Sequence, residues 1–145
     1  MTTMTAQTTQ VYNIFIRATQ EQIWDANTKP EFTEKYFHSV RIEVRDGMRC
    51  SDVGDTHWEE PVLEEDPPRR LVHGWLSYYD EEMAAEDQSR VTWEIEPQDG
   101  GYCLLTVTHD QLEGAPKTAA SVFGTGWMGV LSNLKSFLET GAALF

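Results

Sequence analysis

The chain has 145 residues and carries 24 acidic against 11 basic side chains, which gives a formal net charge of −13 at pH 7. This charge disfavours nucleic acid and anionic membranes as partners, because both would repel an acidic surface. Hydrophobic residues make up 40% of the chain, yet no apolar run approaches the ~20 residues of a membrane span. We therefore predict a protein that folds around one core without a membrane span.

The length accommodates one domain. Residues 1–10 are rich in Thr and Gln and lack the basic start and apolar run of a targeting peptide, so we predict a disordered tail over 1–10 and a single domain over 11–145. Cys50 and Cys103 are far apart in sequence and form no CxxC motif or dense disulfide framework. We expect both thiols to be reduced and the location to be cytoplasmic.

The N-terminal elements are predicted to be one strand and two short helices. Residues 11–17 form a β-branched and aromatic run that is typical of a strand. Thr19 and Gln22 have the spacing of a capping box, which opens the first helix. Pro30 fits the first turn of the second helix, predicted over 31–37, because proline there loses no needed hydrogen bond.

The middle of the chain has the two-residue period of strands. Val40, Ile42 and Val44 alternate with charged residues, and Asp46-Gly47 is a hairpin turn signal. Pro61 lies within the next apolar run and argues for either an edge strand or a bulge. Turn residues separate the further predicted strands, which favours a meander, and these strands lie near 54–65, 71–79, 91–96 and 103–109.

A long helix is predicted near the end of the chain. Gly141 is a stop signal, and Thr118 and Ser121 are alternative starts. Glycines in its first half each cost about 1 kcal/mol relative to alanine, which suggests close packing or open space beside the sheet. The apolar stripe is Phe123, Trp127, Leu131, Leu134 and Leu138, and the glycines are Gly124, Gly126 and Gly129.

Four groups of residues carry a resemblance to a known family. They are Pro67-Pro68-Arg69-Arg70-Leu71, Val91-Thr92-Trp93-Glu94-Ile95 with Gly100, Leu105-Thr106-Val107-Thr108-His109, and Gly126-Trp127 with Leu131-x-x-Leu134-Lys135-x-Phe137-Leu138-Glu139-x-Gly141. In this order they resemble the Hsp90-ATPase-activator-homologue-1-like family of the START-like superfamily.

The resemblance implies an α+β helix-grip fold of the Bet v 1 and START type. Its parts would be a curved antiparallel sheet of six or seven strands, two short helices after strand 1, and a long C-terminal helix over a hydrophobic cavity. Relatives of this kind include ligand carriers, polyketide cyclases and aromatases, and co-chaperone domains. The fold therefore leaves the activity open.

Our main prediction is a small hydrophobic or amphipathic ligand held between the sheet and the C-terminal helix, by binding and not by turnover. His73 and His109 would orient a polar group of this ligand. Aromatic rings offer flat apolar surfaces for such a ligand. The predicted cavity walls are Trp75, Trp93, Leu105, Val107, Phe123, Trp127 and Leu131.

Two alternatives belong to other classes of function. Strand parity places His73 and His109 on faces that can point inward, and with Tyr78 or Tyr102 nearby they could perform acid–base chemistry as in a cyclase or aromatase. For each histidine alone, a neutral core residue is the favoured interpretation. The second alternative is a protein-interaction module that binds an Hsp90-type chaperone through its exposed surface. The oligomeric state is left open.

Other chemistry has weaker support. Glu43 and Glu64 would need a raised pKa or a partner if buried. His57 and Glu59 can share a strand face, but no cysteine pair lies near them in sequence to complete a metal site. We expect no metal and no cofactor. The acidic clusters, predicted to be solvated turns or else a surface for a basic partner, are Glu59-Glu60, Glu64-Glu65-Asp66, Asp80-Glu81-Glu82 and Glu86-Asp87.

Overall fold

A computed structural model describes residues 7–145, so residues 1–6 of the predicted tail lie outside the described range. Residue 10 already belongs to the first strand. Within the described range the elements are, in chain order, β1 (Gln10–Ile16), α1 (Gln20–Thr28), α2 (Pro30–Tyr36), β2 (Arg41–Arg45), β3 (Met48–Val53), β4 (Thr56–Asp66), β5 (Arg70–Trp75), α3 (Glu81–Ala84), β6 (Ser89–Gln98), β7 (Tyr102–Asp110), α4 (Pro116–Val122) and α5 (Thr125–Thr140).

The strands form one curved antiparallel sheet with the order β1-β7-β6-β5-β4-β3-β2. Strands β2 to β7 are a meander, as the turn spacing predicts, and β1 closes the order beside β7. Helix α5 packs on the sheet through Trp127, Leu131 and Leu134, which are at most 3% exposed. The predicted α+β architecture is confirmed. No helix within residues 7–145 is long and apolar enough to cross a membrane.

Local signals produce the predicted turns and caps. The Thr19 hydroxyl accepts a hydrogen bond from the Gln22 backbone N–H, and the Gln22 side chain accepts one from the Thr19 N–H, so the capping box is present. Pro30 occupies the first turn of α2. Asp46 and Gly47 have φ values of 52° and 74°, and this left-handed pair gives the tight hairpin that joins β2 to β3.

The edge-strand interpretation of Pro61 is wrong. Strand β4 lies between β3 and β5, so Pro61 is in the interior of the sheet, opposite Met48. The pairing of β4 with β5 shifts between Val62 and Glu64, which agrees with the bulge alternative. An irregular ladder tolerates a residue that has no N–H to donate.

The predicted C-terminal helix is divided into α4 and α5. Phe123 has an extended backbone and ends α4, Gly124 with a φ of 62° precedes α5, and the Phe123 side chain is 48% exposed. A Cβ on Gly126 would lie 2.7 Å from the backbone oxygen of Ser121, so this glycine permits the close approach of α5 to α4. The helix ends as predicted at Gly141, which has a left-handed φ of 88°.

Candidate functional site

A cavity of about 490 Å³ lies between strands β2 to β5 and the junction of α4 with α5. Its walls are mainly apolar and aromatic. The apolar lining residues are Phe37, Val40, Ile42, Val53, Trp58, Trp75, Leu76, Val122, Trp127 and Val130.

Exposed residues mark the mouth of this cavity. His38, Tyr79 and Ser121 line it and are all exposed to solvent. The Tyr79 hydroxyl lies 2.9 Å from the Ser121 Oγ, so one hydrogen bond joins the loop after β5 to α4 across the opening. A hydrogen bond between exposed groups is worth little net stability, so this contact adds little to the stability of the fold.

A buried ion pair lies in the cavity wall. Arg49 and Glu60 are 2% and 1% exposed, and the Arg49 Nη1 donates to the Glu60 Oε1 at 2.7 Å. The second carboxylate oxygen of Glu60 accepts from the Leu76 N–H at 2.7 Å. Burial raises the pKa of the Glu60 carboxyl, while the Arg49 charge and the Leu76 hydrogen bond oppose that rise.

One side of the Arg49 guanidinium makes no hydrogen bond. Within residues 7–145, Nε and Nη2 of Arg49 have no hydrogen-bond partner, and the same holds for the Oγ of Ser51. We call the Nε–Nη2 side the open edge of Arg49. The guanidinium carbon lies 5.7 Å from the Phe37 ring centroid and 5.4 Å from that of Trp75, so aromatic rings surround the charge.

Three polar residues of the cavity wall were not predicted from the sequence, although the hairpin pattern indicates the face of two of them. They are Arg49, Ser51 and Glu60. A two-residue turn at 46–47 places Arg49 opposite Val44 and Ser51 opposite Ile42. Residues directly opposite each other in an antiparallel pair share a face. The hairpin therefore already assigned Arg49 and Ser51 to the inner face.

The expectation that Glu60 is part of a solvated acidic cluster is wrong. Glu60 is directly opposite Arg49 in the pairing of β3 with β4, and parity turns it inward while Glu59 stays exposed. The burial of Glu60 follows from having a cation to pair with across the strands.

The predicted aromatic wall residues are close to one another. The Trp127 ring centroid lies 5.6 Å from that of Trp75 and 5.5 Å from that of Trp93. Trp75 and Trp127 line the cavity, and Trp93 lies in the core beside Trp127. Of the other predicted wall residues, Leu105, Val107 and Leu131 belong to the buried core, and Phe123 is half exposed at the end of α4.

His109 is a neutral core residue. The Trp127 indole N–H donates to its Nδ1 at 3.1 Å, which makes that nitrogen an acceptor. Its Nε2–H then donates to the Ser89 Oγ at 2.8 Å, and the Ser89 hydroxyl can donate to the Trp75 carbonyl at 3.4 Å. Burial lowers the pKa of His109 to about 3, against a smaller opposing effect of Asp110.

His73 is held in the same way. Its Nδ1–H donates to the Gly74 carbonyl at 2.7 Å, and its Nε2 accepts from the Trp93 indole N–H at 3.0 Å. Burial, followed by the nearby Arg49 charge, holds the pKa of His73 well below its usual value. Both ring nitrogens of each histidine are therefore engaged inside the protein.

Because these histidines are buried and neutral, we expect the free energy of unfolding to depend on pH. In the unfolded chain His109 titrates near the ordinary histidine pKa of about 6.5, whereas in the fold it stays neutral. The contribution of neutral His109 to the free energy of unfolding is then fully present above the unfolded-state pKa and is lost as the pH falls. The loss is about 2 kcal/mol between pH 7 and pH 5. Urea unfolding at both pH values should show a smaller decline for His109→Gln than for the unmodified protein.

His57→Gln is the control for this measurement. His57 is exposed, and hydrogen bonds first to Asp52 and then to Glu59 raise its pKa, so its protonation stabilises the fold at low pH. His57→Gln should therefore not reduce the decline in the free energy of unfolding between pH 7 and pH 5. Equal declines for the unmodified protein and His109→Gln would contradict the neutral state of His109.

The remaining sequence candidates lie outside the cavity. Glu43 and Glu64 are exposed and pair with arginines, Tyr78 packs on Trp58 with 5.4 Å between ring centroids, and Tyr102 packs on Phe15. Among residues 7–145, no three His, Cys, Asp or Glu side chains are grouped so that they could hold a metal ion.

The architecture and the sequence segments that carry the resemblance together point to one family. The family model described as "Activator of Hsp90 ATPase homolog 1-like protein" matches residues 17–139, which is most of the chain. The chain belongs to this family. A comparison with curated proteins found no similar sequence.

Solved structures resemble this member of the family at low sequence identity. The Aha1 dimer from Colwellia psychrerythraea has a TM-score of 0.72 and 17% identity, with 93% of this chain and 98% of that chain covered. MLL2253 from Mesorhizobium loti has a TM-score of 0.71 and 20% identity, with 90% and 96% covered. CalU16 from Micromonospora echinospora has a TM-score of 0.70 and 20% identity, with 94% and 77% covered. At such identities the likeness supports the fold alone.

Proposed function

We propose that this protein binds a small apolar or amphipathic molecule in the cavity between the sheet and the α4–α5 junction. The observation that carries the proposal is the cavity itself, whose volume of about 490 Å³ falls within the roughly 300–1,000 Å³ of small-molecule sites. Protein interiors otherwise pack with few voids larger than a water molecule. A space of this size with aromatic walls favours the binding of a small-molecule ligand.

The polar groups support binding and not turnover. General acid–base chemistry needs a group that can exchange a proton with the substrate at a pKa near the working pH. His73 and His109 have both ring nitrogens engaged by other protein groups. Apart from the exposed His38, Tyr79 and Ser121 at the mouth, the polar residues that line the cavity are Arg49, Ser51 and Glu60, which suit the orientation of a ligand.

Filling the cavity should weaken binding. Val130 is 5% exposed and lines the cavity from α5, so Val130→Phe places a ring in the space that a ligand would use. We expect the dissociation constant of the neutral fluorescent probe N-phenyl-1-naphthylamine to rise by roughly tenfold or more, because about 1.4 kcal/mol of lost binding gives that factor.

Met128→Phe is the matched control, since Met128 is on the same helix and is 50% exposed. It should leave probe binding unchanged. Absence of probe binding by the unmodified protein, or equal binding by Val130→Phe, would contradict the proposal. The family description also raises contact with an Hsp90-type chaperone, and a contact through the exposed surface would survive Val130→Phe.

A further inference from the structure

We infer that the bound molecule carries a carboxylate, which pairs with the open edge of Arg49. This inference rests on the proposed function, because it concerns the ligand of the same cavity. It assigns a chemical class to that ligand, an apolar body with one carboxylate head.

The shape of the open edge selects a carboxylate. Glu60 binds Nη1, which leaves Nε and Nη2 of Arg49 on one side of the planar guanidinium. These two nitrogens present parallel N–H groups, and their spacing matches the two oxygens of a carboxylate. A single hydroxyl or ether oxygen would use only one of these donors.

Burial makes unpartnered hydrogen-bond donors costly to the fold. Arg49 is only 2% exposed, and a buried donor that makes no hydrogen bond costs free energy that a ligand acceptor would recover. Native proteins usually satisfy such groups. Surrounding aromatic rings also exclude water from the charge, which increases its attraction for an anion.

Ser51 supplies a further polar contact beside the open edge. It lies two residues after Arg49 on β3 and therefore on the same face, it lines the cavity, and it is completely buried. Its hydroxyl can donate to a carboxylate oxygen. Two neighbouring polar groups on one face of β3 define one head-group position.

Glu60 is the opposing charge that the ligand must tolerate. Its two oxygens are held by the Arg49 Nη1 and the Leu76 N–H, so the carboxylate is engaged apart from the Nε and Nη2 atoms of the open edge. Aromatic side chains make up much of the remaining cavity wall, among them Trp58, Trp75 and Trp127. Flat ring systems fit such walls well.

The test compares three probes that share one ring system. 2-Naphthoate, 2-naphthamide and 2-naphthylmethanol are titrated into the protein by isothermal calorimetry at pH 7. We expect 2-naphthoate to bind roughly tenfold or more tightly than either neutral probe, because hydrogen bonds to charged groups are stronger than neutral ones. Equal affinities would overturn the carboxylate inference and leave the proposed function standing. Absence of binding by all three would count against the proposed function itself.

A double variant tests the role of Arg49. Arg49→Met with Glu60→Gln removes both buried charges without changing the net charge or leaving an unpaired ion. We expect the preference for 2-naphthoate over 2-naphthamide to disappear. The matched control is Arg45→Met with Glu43→Gln, which alters an exposed ion pair of 2.8 Å on β2 and should keep the preference. A preference retained by the first double variant would overturn the inference.

Ser51→Ala keeps the test decisive if the double variant does not fold. It removes one hydroxyl and no charge, and we expect it to weaken 2-naphthoate binding several-fold with little change for 2-naphthylmethanol. Equal loss for both probes would overturn the shared head-group position.

Discussion

Replacing Arg49 alone with Met should lower the free energy of unfolding by about 3–5 kcal/mol, because Glu60 is then buried without its partner charge. Both side chains are at most 2% exposed, so water cannot replace the lost interaction. Urea unfolding followed by tryptophan fluorescence measures the loss.

The double variant Arg49→Met with Glu60→Gln is the internal control. It leaves no buried charge, so we expect it to recover most of the stability that Arg49→Met loses. Arg45→Met, in an exposed ion pair, should cost no more than about 1 kcal/mol. A loss below about 1 kcal/mol for Arg49→Met, or a double variant as unstable as the single one, would show that the pair is not buried as described.

Replacing Trp127 with Ala should cost about 3–5 kcal/mol of stability, the range for buried large aromatic side chains. Trp127 is 2% exposed and packs between Trp75 and Trp93. The substitution also leaves the Nδ1 of His109 without the indole donor. Thermal or urea unfolding measures the loss, and N-phenyl-1-naphthylamine should bind more weakly because one aromatic wall is gone.

Trp127→Phe separates the two contributions. It keeps a ring between Trp75 and Trp93 but removes the N–H that donates to His109, so we expect a smaller stability loss than for Trp127→Ala. A loss near zero for Trp127→Ala would contradict the packing of α5 on the sheet. Unchanged probe affinity in Trp127→Ala would contradict its place in the cavity wall.

The position of the cavity follows from how α5 lies on the sheet. Trp127, Leu131 and Leu134 fill the space over the sheet with buried apolar contacts. Toward β2 and β3 the wall changes to Arg49 and Ser51, whose polar groups do not pack against an apolar helix. The cavity therefore lies on the side of the sheet where the sequence places its inward polar residues.

The sequence by itself determined the features that depend on a few neighbouring residues. The Thr19–Gln22 capping box, the Asp46-Gly47 hairpin and the Gly141 helix end each require only local backbone geometry and one or two hydrogen bonds. The alternation of β7 likewise fixes which of its side chains turn inward, because successive residues of a strand point to opposite faces. These features were predictable for that reason.

Tertiary structure alone decided which inward-facing residues border empty space. Leu105 and Trp127 both point into the interior, yet only Trp127 lines the cavity, since that depends on how far α5 lies from each strand. It also decided that Glu60 is buried, because the partner that allows a carboxylate to leave water is Arg49 on a different strand. Parity assigns a side chain to a face, whereas packing across the core decides what that side chain meets.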